Sequence, residues 1–350
     1  MLKTKHLLLF ALGISLLGSC KKDSLPSDSL AQEVPQAKQG FEYVPDLNSC
    51  YSGVSVVDGI LKFDSRSDLL NTLSCLKSKT NEMDSVFLDD WGHLSDSLIN
   101  DKADEISYHD ELVYKAFEDN FLVLSLRTEM LSQEDDWLDL VPFDSTPSAM
   151  PNHIITESAI QTLFSPDGTI NVDDTLLYID TAGLQYYVLN GDHDILDSIV
   201  DGSWGEENSH VEIHYSDGST SRATCKSTRS SSWKWKSSGR WAARGKAGFF
   251  HMLWFKGWYS TTVSYKKKSG KWKRHKMIIN SGVDSEINYN FNQAYPCGYQ
   301  IVYPDDDSDK RTKKHTFSYG AGTPFRVFSG NHDTEHTTDK ISIFYHTVTW

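Results

Sequence analysis

Residues 167–189 read "DGTINVDDTLLYIDTAGLQYYVL", and the spacing of their apolar side chains decides the fold class. From residue 168 the period is two, which divides the stretch into three short strands around Asp173-Asp174 and Thr181-Ala182-Gly183. Upstream the period is helical. "DSRSDLLNTLSCLKS" (64–78) offers Ser65 as a cap with Asp68 three residues on, then Leu69, Leu73 and Leu76 at helical spacing. Met83, Phe87, Trp91, Leu94 and Leu98 continue on one face, with a break expected at Gly92. "YHDELVYKAFEDNF" (108–121) repeats the pattern through Tyr108, Leu112, Ala116, Phe117 and Phe121. Each is an amphipathic helix whose Leu and Phe residues belong in a core.

Downstream the strand pattern persists. "WYSTTVSYKKKSGKWKRHKMIIN" (258–280) reads as a hairpin turning at Ser269-Gly270, followed by "GYQIVYP" (298–304), "KKHTFSYG" (313–320), "TPFRVFSG" (323–330) and "KISIFYHTVTW" (340–350). Short, regularly spaced strands with turn signals argue a sandwich or open barrel. The expected class is therefore α+β, a helical N-terminal part followed by a mainly antiparallel, β-sandwich-like C-terminal domain. The boundaries fall at 54–204 for the helical part ending in short strands and at 205–350 for the β-rich domain.

Charge separates the same halves. Residues 1–221 carry 12 Lys and Arg against 39 Asp and Glu, residues 222–276 carry 16 against none, and residues 277–350 carry 6 against 9, in a chain of net charge −14. The basic block also holds six of the ten tryptophans: Trp233, Trp235, Trp241, Trp254, Trp258 and Trp272. In a strand, Trp233 and Trp235 share one face and Lys234 and Lys236 the other.

The N-terminus carries an export signal. Lys3 and Lys5 precede an apolar stretch from Leu7 to Leu17, and residues 16–23 read "LLGSCKKD". The stretch is shorter than the ~20 residues that span a bilayer as a helix. Leu17-Gly18-Ser19-Cys20 resembles a bacterial lipobox, which implies cleavage of residues 1–19 and acylation of Cys20, a palmitate-type anchor in the lipid bilayer. Residues 24–53 are polar and without sustained apolar period, so 20–53 reads as the acylated cysteine and a disordered tether.

The order of these parts is familiar. The lipobox, the polar tether, "LKFDSRSDLLNTLSCL" (61–76) leading to "DSVFLDDWGHLSDSL" (84–98), the hairpin "SPDGTINVDDTLLYI" (165–179) and the basic Trp-rich β-domain together resemble a family of Bacteroidetes surface lipoproteins without an assigned activity. Lys21-Lys22-Asp23 is similar to the charged signal that follows the cysteine in members facing outward. The resemblance implies an outer-membrane lipoprotein, displayed to the cell exterior in preference to the periplasm. It carries no ligand, catalytic residue or cofactor across.

Chemistry-bearing clusters are weak. "NHDTEHTTD" (331–339) gathers His332, Asp333, Glu335, His336 and Asp339, and "HVEIH" (210–214) sets His210, Glu212 and His214 on one strand face. Neither has the helical His pair with a general-base glutamate that identifies a zinc protease, so no metal is expected. "PDDDSDKRTKKH" (304–315) lacks the glycine and glutamate of a calcium loop and reads as the polar tip of a hairpin. No hydrolase, Walker or dinucleotide fingerprint is present. Cys50, Cys75, Cys225 and Cys297 are candidates for disulfides, pairing within each half being simplest and free thiols the alternative.

The basic block admits three readings. It is structural, its tryptophans forming core and its lysines docking on the acidic helical half. Or it binds an anionic polysaccharide through Trp233, Trp235 and Trp241 with Lys266, Lys267, Lys268, Lys271 and Lys273. Or the domain is a glycan-active hydrolase whose site the sequence does not reveal. Nucleic acid is the poorer partner for an exported, anchored chain. The expectation is a structural or interaction component, not an enzyme.

Overall fold

The structure, a computed structural model, describes residues 41, 43–109, 111–140, 153, 155–181, 183–205, 209–214, 232–252, 255–290, 300–302, 305–312, 314–319 and 326–349. All lie within one compact unit, Lys38–Trp350. Cys20, Cys225, Cys297 and Trp254 fall outside the described residues.

From Phe41 the chain is already packed. The Phe41 ring meets Phe87 and Tyr108 at centroid distances of 6.2 and 4.7 Å, and Leu47 and Cys50 are buried. A 3-10 turn at Asn48–Cys50 leads Cys50 into a disulfide with Cys75. The tether expected to run to residue 53 is thus corrected over its last part. Phe41, Leu47 and Tyr51 give that polar segment enough apolar surface to bury, and the disulfide shortens the loop it closes.

A hairpin of β1 (Val54–Val57) and β2 (Ile60–Phe63) leads to α1 (Arg66–Trp91). Ser65 caps α1, its hydroxyl accepting from the Asp68 N–H at 3.2 Å. Leu69, Leu73, Leu76, Met83 and Phe87 are buried along one helical face. The helix ends at Gly92, whose N–H returns to the Leu88 carbonyl, so Leu98 belongs to a second helix, α2 (Asp96–Glu105), and is exposed. There follow α3 (Leu112–Phe121), α4 (Leu126–Leu140) and α5 (Ser158–Gln161).

The stretch that decides the class then forms β3 (Thr169–Val172), β4 (Thr175–Ile179) and β5 (Gln185–Val188). Asp173 and Asp174 have φ of 53° and 56°, the left-handed pair that a two-residue hairpin turn requires. β3 pairs in parallel with β2, so helices α1 to α5 form a long crossover between them. After α6 (His193–Val200), β6 (Val211–His214) completes a sheet in the order β1-β2-β3-β4-β5-β6. Leu61, Phe63, Ile170, Val172, Leu177 and Ile179 share one core with the helices of the crossover. Ile60, Leu176 and Val188 face the other way onto Leu196 and Ile199 of α6.

Ten further strands follow: β7 (Ser232–Ser238), β8 (Trp241–Met252), β9 (Phe255–Lys268), β10 (Lys271–Arg274), β11 (Met277–Asn290), β12 (Gln300–Val302), β13 (Asp305–Thr312), β14 (Lys314–Tyr319), β15 (Arg326–Thr338) and β16 (Ile341–Thr349). They make two sheets. In one the order is β10-β9-β8-β7, with β14 pairing β9 beyond the end of β10, and in the other it is β12-β11-β15-β16, with β13 pairing β11. The chain passes from one sheet to the other at His275-Lys276, between β10 and β11. Every pairing in both is antiparallel.

The fold class is α+β, as the sequence periods indicate. One segment departs from the expectation. Residues 305–312 are strand β13 and not the tip of a hairpin. Asp305, Asp307 and Asp309 oppose Asp284, Gly282 and Asn280 of β11, at a sheet margin, where a charged strand is tolerated. Among the described residues no helix is long and apolar enough to cross a membrane.

Candidate functional site

The β7–β10 sheet has two faces with different neighbours, and alternation along the strands sorts the basic block between them. On one face Trp235, Val263, Tyr265 and Trp272 form a cluster with Trp137 and Leu138 of α4. Trp235 lies 5.0 Å from the Tyr265 ring and 5.5 Å from that of Trp272. On the other face Lys234 donates to the Tyr345 carbonyl at 2.9 Å, and Lys236 donates to the Ser342 and Ile343 carbonyls, so both are tied to β16.

The hairpin at Ser269-Gly270 has the positive φ values of its turn type, 51° and 82°. The register sets Lys268 opposite Lys271 and Lys266 opposite Lys273, so these four share one face of the hairpin and Lys267 lies on the other. Lys268 pairs with Asp104 at 3.0 Å and Lys271 with Asp139 at 2.8 Å, both carboxylates of the helical half. Lys266 lies 4.8 Å from the centre of the Trp241 ring and Lys267 lies 5.1 Å from that of Trp272. Lys273 is exposed. Trp241 is half-buried and packs with Ala243, Ile341 and Phe344, and Trp233 lies in β7 opposite Lys246.

The helix-facing side of the sheet also builds a cavity. Arg244 on β8, Val263 on β9 and Lys314 on β14 stand in one cross-strand row, with Lys246 and Thr261 in the next. Arg127, Met130, Leu131 and Glu134, one face of α4, close it from the helical side, with Glu111, His153, Thr156 and Gln161 beside them. The space among these side chains that admits the centre of a water-sized sphere is about 30 Å³. Arg274 completes the wall and bonds Glu134, with Glu111 at 3.6 Å. Arg127 is held by Glu118 and lies 3.6 Å from Glu111. Arg244 reaches Glu134 only at 3.8 Å, Lys246 donates to the His153 carbonyl at 2.7 Å, and Lys314 donates to Gln161 Oε1 at 3.2 Å.

Cations outnumber carboxylates here. Among the described residues lining the cavity five are cationic and two are carboxylates, and Glu118 behind Arg127 adds a third. The proton affinities follow. Burial would raise the Glu134 carboxyl, but Arg274 and Arg244 bring it down to about 2. Burial and then Arg274 lower the Lys314 ammonium to about 7. Lys246 is pushed well below the ordinary lysine range by burial, then by Arg244 and Lys314. Burial and Lys246 lower His153 to about 4.

The cluster at 331–339 is taken apart by its strand. On β15, His332, Thr334 and His336 are buried between the two sheets while Asp333 and Glu335 point to the opposite side. His336 Nδ1 is 2.8 Å from the Thr262 hydroxyl, and His332 Nε2 donates to the Tyr259 carbonyl at 2.9 Å. On β6, Glu212 is exposed. Among the described residues no group of His, Cys, Asp and Glu is placed to hold a metal ion.

The cavity residues were not legible as a site. Arg244 and Lys246 stand among small residues in "AARGKAG" (242–248), and the alternation that puts them on the Trp235 face is the signal that was available. Their partners in the N-terminal half lie more than 90 residues away in the chain, as with Lys246 and His153 at a separation of 93.

No protein-family model matches the chain and no curated protein matches it. Among solved structures it is similar to a DUF4848 family protein from Bacteroides thetaiotaomicron, at 13% identity and a TM-score of 0.21, over 85% of this chain and 100% of that one. At that score the likeness carries no argument about fold or function.

Proposed function

We propose that this chain is an outer-membrane lipoprotein, anchored through acylated Cys20 and facing the cell exterior, that serves as a structural or interaction component. In this reading the basic block joins the β-domain to the acidic helical half. The observation that carries it is the set of charges matched across the junction: Lys268 with Asp104, Lys271 with Asp139, and Arg274 with Glu134 and Glu111. Trp235, offered by the sequence for a sugar, is packed with Trp272 on Trp137 and Leu138. Location rests on the sequence of residues 1–23.

Metabolic labelling with a palmitate analogue, followed by protease shaving of intact cells, tests the anchor. The wild type should take up label and be shaved, and Cys20→Ala should lose the label; label retained in the variant would contradict it. Retention on heparin at two salt concentrations tests the junction. Weak retention, little changed when Lys266, Lys267, Lys268, Lys271 and Lys273 become Gln, fits the structural reading. Strong, salt-sensitive retention lost in that variant would favour the anionic-polysaccharide module instead.

A further inference from the structure

We infer that the turn between α3 and α4, Leu122-Val123-Leu124, is a lipid-inserting tip that holds the helical part against a bilayer. The inference rests on the proposed anchor at Cys20 for its partner, and extends it by naming a second contact with the same membrane.

Exposure joined to strain is the first support. Leu122 is 92% exposed and Leu124 is 68% exposed. A lone exposed leucine needs no explanation. Leu122, however, closes α3 with φ 54° and ψ 36°, the left-handed position that glycine commonly fills at a helix end. A leucine there carries a steric cost, and at this exposure it recovers almost nothing by burial. Packing within the fold does not account for the side chain, and a backbone outlier of this kind points to a partner outside it.

Rigidity is the second. The Leu122 N–H donates to the Asp119 carbonyl at 3.3 Å and the Val123 N–H to the Glu118 carbonyl at 3.2 Å. Val123 packs against the core, Ser125 and Leu126 are buried, and the Leu126 N–H reaches the Phe164 carbonyl at 2.8 Å. Two outward leucines thus flank an inward valine on a fixed backbone. Little ordering is left for a partner to impose.

Size selects that partner. Two leucines offer far less than the ~800 Å² per partner of a stable protein interface. A bilayer demands no matching shape, and each methylene that enters it contributes on its own. On the last two turns of α3, Lys115 and Asp119 are paired at 2.6 Å and Glu118 is held by Arg127, so these charges are matched beside the tip.

Position agrees. Phe41 is 21 residues from Cys20 and sits where α3 begins, its N–H donating to the Ile106 carbonyl and its ring meeting Tyr108. Tyr51 meets Phe121 at the other end of α3, with ring centres 5.3 Å apart. The segment from Phe41 to Tyr51 therefore follows the helix, whose ten residues span about 15 Å. A polar coil joining Cys20 to Phe41 would reach about 25 Å, enough for anchor and tip to meet one surface. Tethering raises the local concentration of lipid at the tip, so a contact too weak to bind alone is sustained.

The experiment is photo-crosslinking in phosphatidylcholine vesicles that carry a diazirine-bearing phosphatidylcholine, with labelled peptides mapped by mass spectrometry. Two forms are compared: the acylated protein, and the Cys20→Ala mature chain held by an N-terminal polyhistidine tag on nickel-chelating lipid. Label on residues 118–128 is expected in both, and its loss in Leu122→Gly/Leu124→Ser. The Tm of that variant should match or exceed the wild type's, because glycine fits the left-handed position. Label at the tip of the tagged form, with no acylated protein recovered on vesicles, would support the tip while rejecting the anchor. Absence of label from residues 118–128 in the tagged form, or undiminished label in the double variant, would overturn the inference. A concentration-dependent dimer that the double variant abolishes, without lipid label, would overturn it in favour of a second copy.

Discussion

The two faces of the β7–β10 sheet solve different packing problems. Toward the helices the face carries long and aromatic side chains, Trp235, Trp272, Arg244, Lys246 and Arg274, and meets carboxylates brought by α3, α4 and the segment before them. Toward β11 and β15 the same strands carry Ala243, Gly245, Ala247, Ser260, Thr262 and Ser264, all buried, against His332, Thr334 and His336. A helix layer stands off a sheet far enough to leave room for guanidinium groups and indoles, while these two sheets approach until a hydroxyl and an imidazole fill the gap. Small residues are placed where backbones converge, and long cations where an acidic partner can be reached.

The largest effect should come from unbalancing the charged face. Glu134 accepts from Tyr265 and pairs with Arg274, so Glu134→Gln leaves two buried guanidinium groups with less compensation. The expected loss is about 3 to 5 kcal/mol in chemical denaturation. A loss under about 1 kcal/mol would mean the junction tolerates bare cations.

Overfilling the close-packed face should come next. A Cβ on Gly245 would stand 2.3 Å from His336 Cδ2. Gly245→Ala is expected to destabilise by about 1 to 3 kcal/mol through the shift it forces on that ring. Restoration by a smaller residue at 336, in Gly245→Ala/His336→Ser, would identify the clash as the cause.

Acid should also distinguish the faces. Burial lowers His332 to about 4 and His336 to about 3, below the ~6.5 of an unfolded histidine. The unfolded chain therefore binds more protons between those limits, and the stability these groups confer, complete above pH 6.5, is lost as pH falls toward 4 and then 3. Glu134, held near 2, weakens the junction only below about pH 4.5. Denaturation between pH 7 and 5 should show a slope that His332→Gln/His336→Gln reduces. His153, lowered to about 4, should keep part of it.

The smallest effect belongs to the hairpin. Lys268 and Lys271 are more than half exposed, and their pairs with Asp104 and Asp139 should contribute about 0.2 to 1 kcal/mol each. Lys268→Gln and Lys271→Gln should shift the midpoint slightly, and less at high salt. A larger loss would place more of the junction's stability at its rim.

Much of the fold can be read locally. Ser65 with Asp68, the turn pairs Asp173-Asp174 and Ser269-Gly270, and the alternation of β3 to β5 are signals within a few residues, and each structural feature sits where its signal lies. α4 was not legible. Its residues "LRTEMLSQEDDWLDL" are polar because the face toward the sheet holds Arg127 and Glu134 where a core helix would hold Leu. β13 was masked by its aspartates. The cavity was hidden for a related reason, since Glu134 and Arg274 are 140 positions apart and nothing local marks either as the other's partner. Charge segregation showed that the halves attract, but not which cations would be buried.

The central claim is that the basic block is bound to the acidic helices through specific buried pairs. A double-mutant cycle on Glu134→Gln and Arg274→Gln, by chemical denaturation of the full-length chain, tests it most directly. The account predicts that the double variant is more stable than the sum of the two losses requires, by a coupling of about 1 to 3 kcal/mol. Losses that add to within about 0.5 kcal/mol would contradict it.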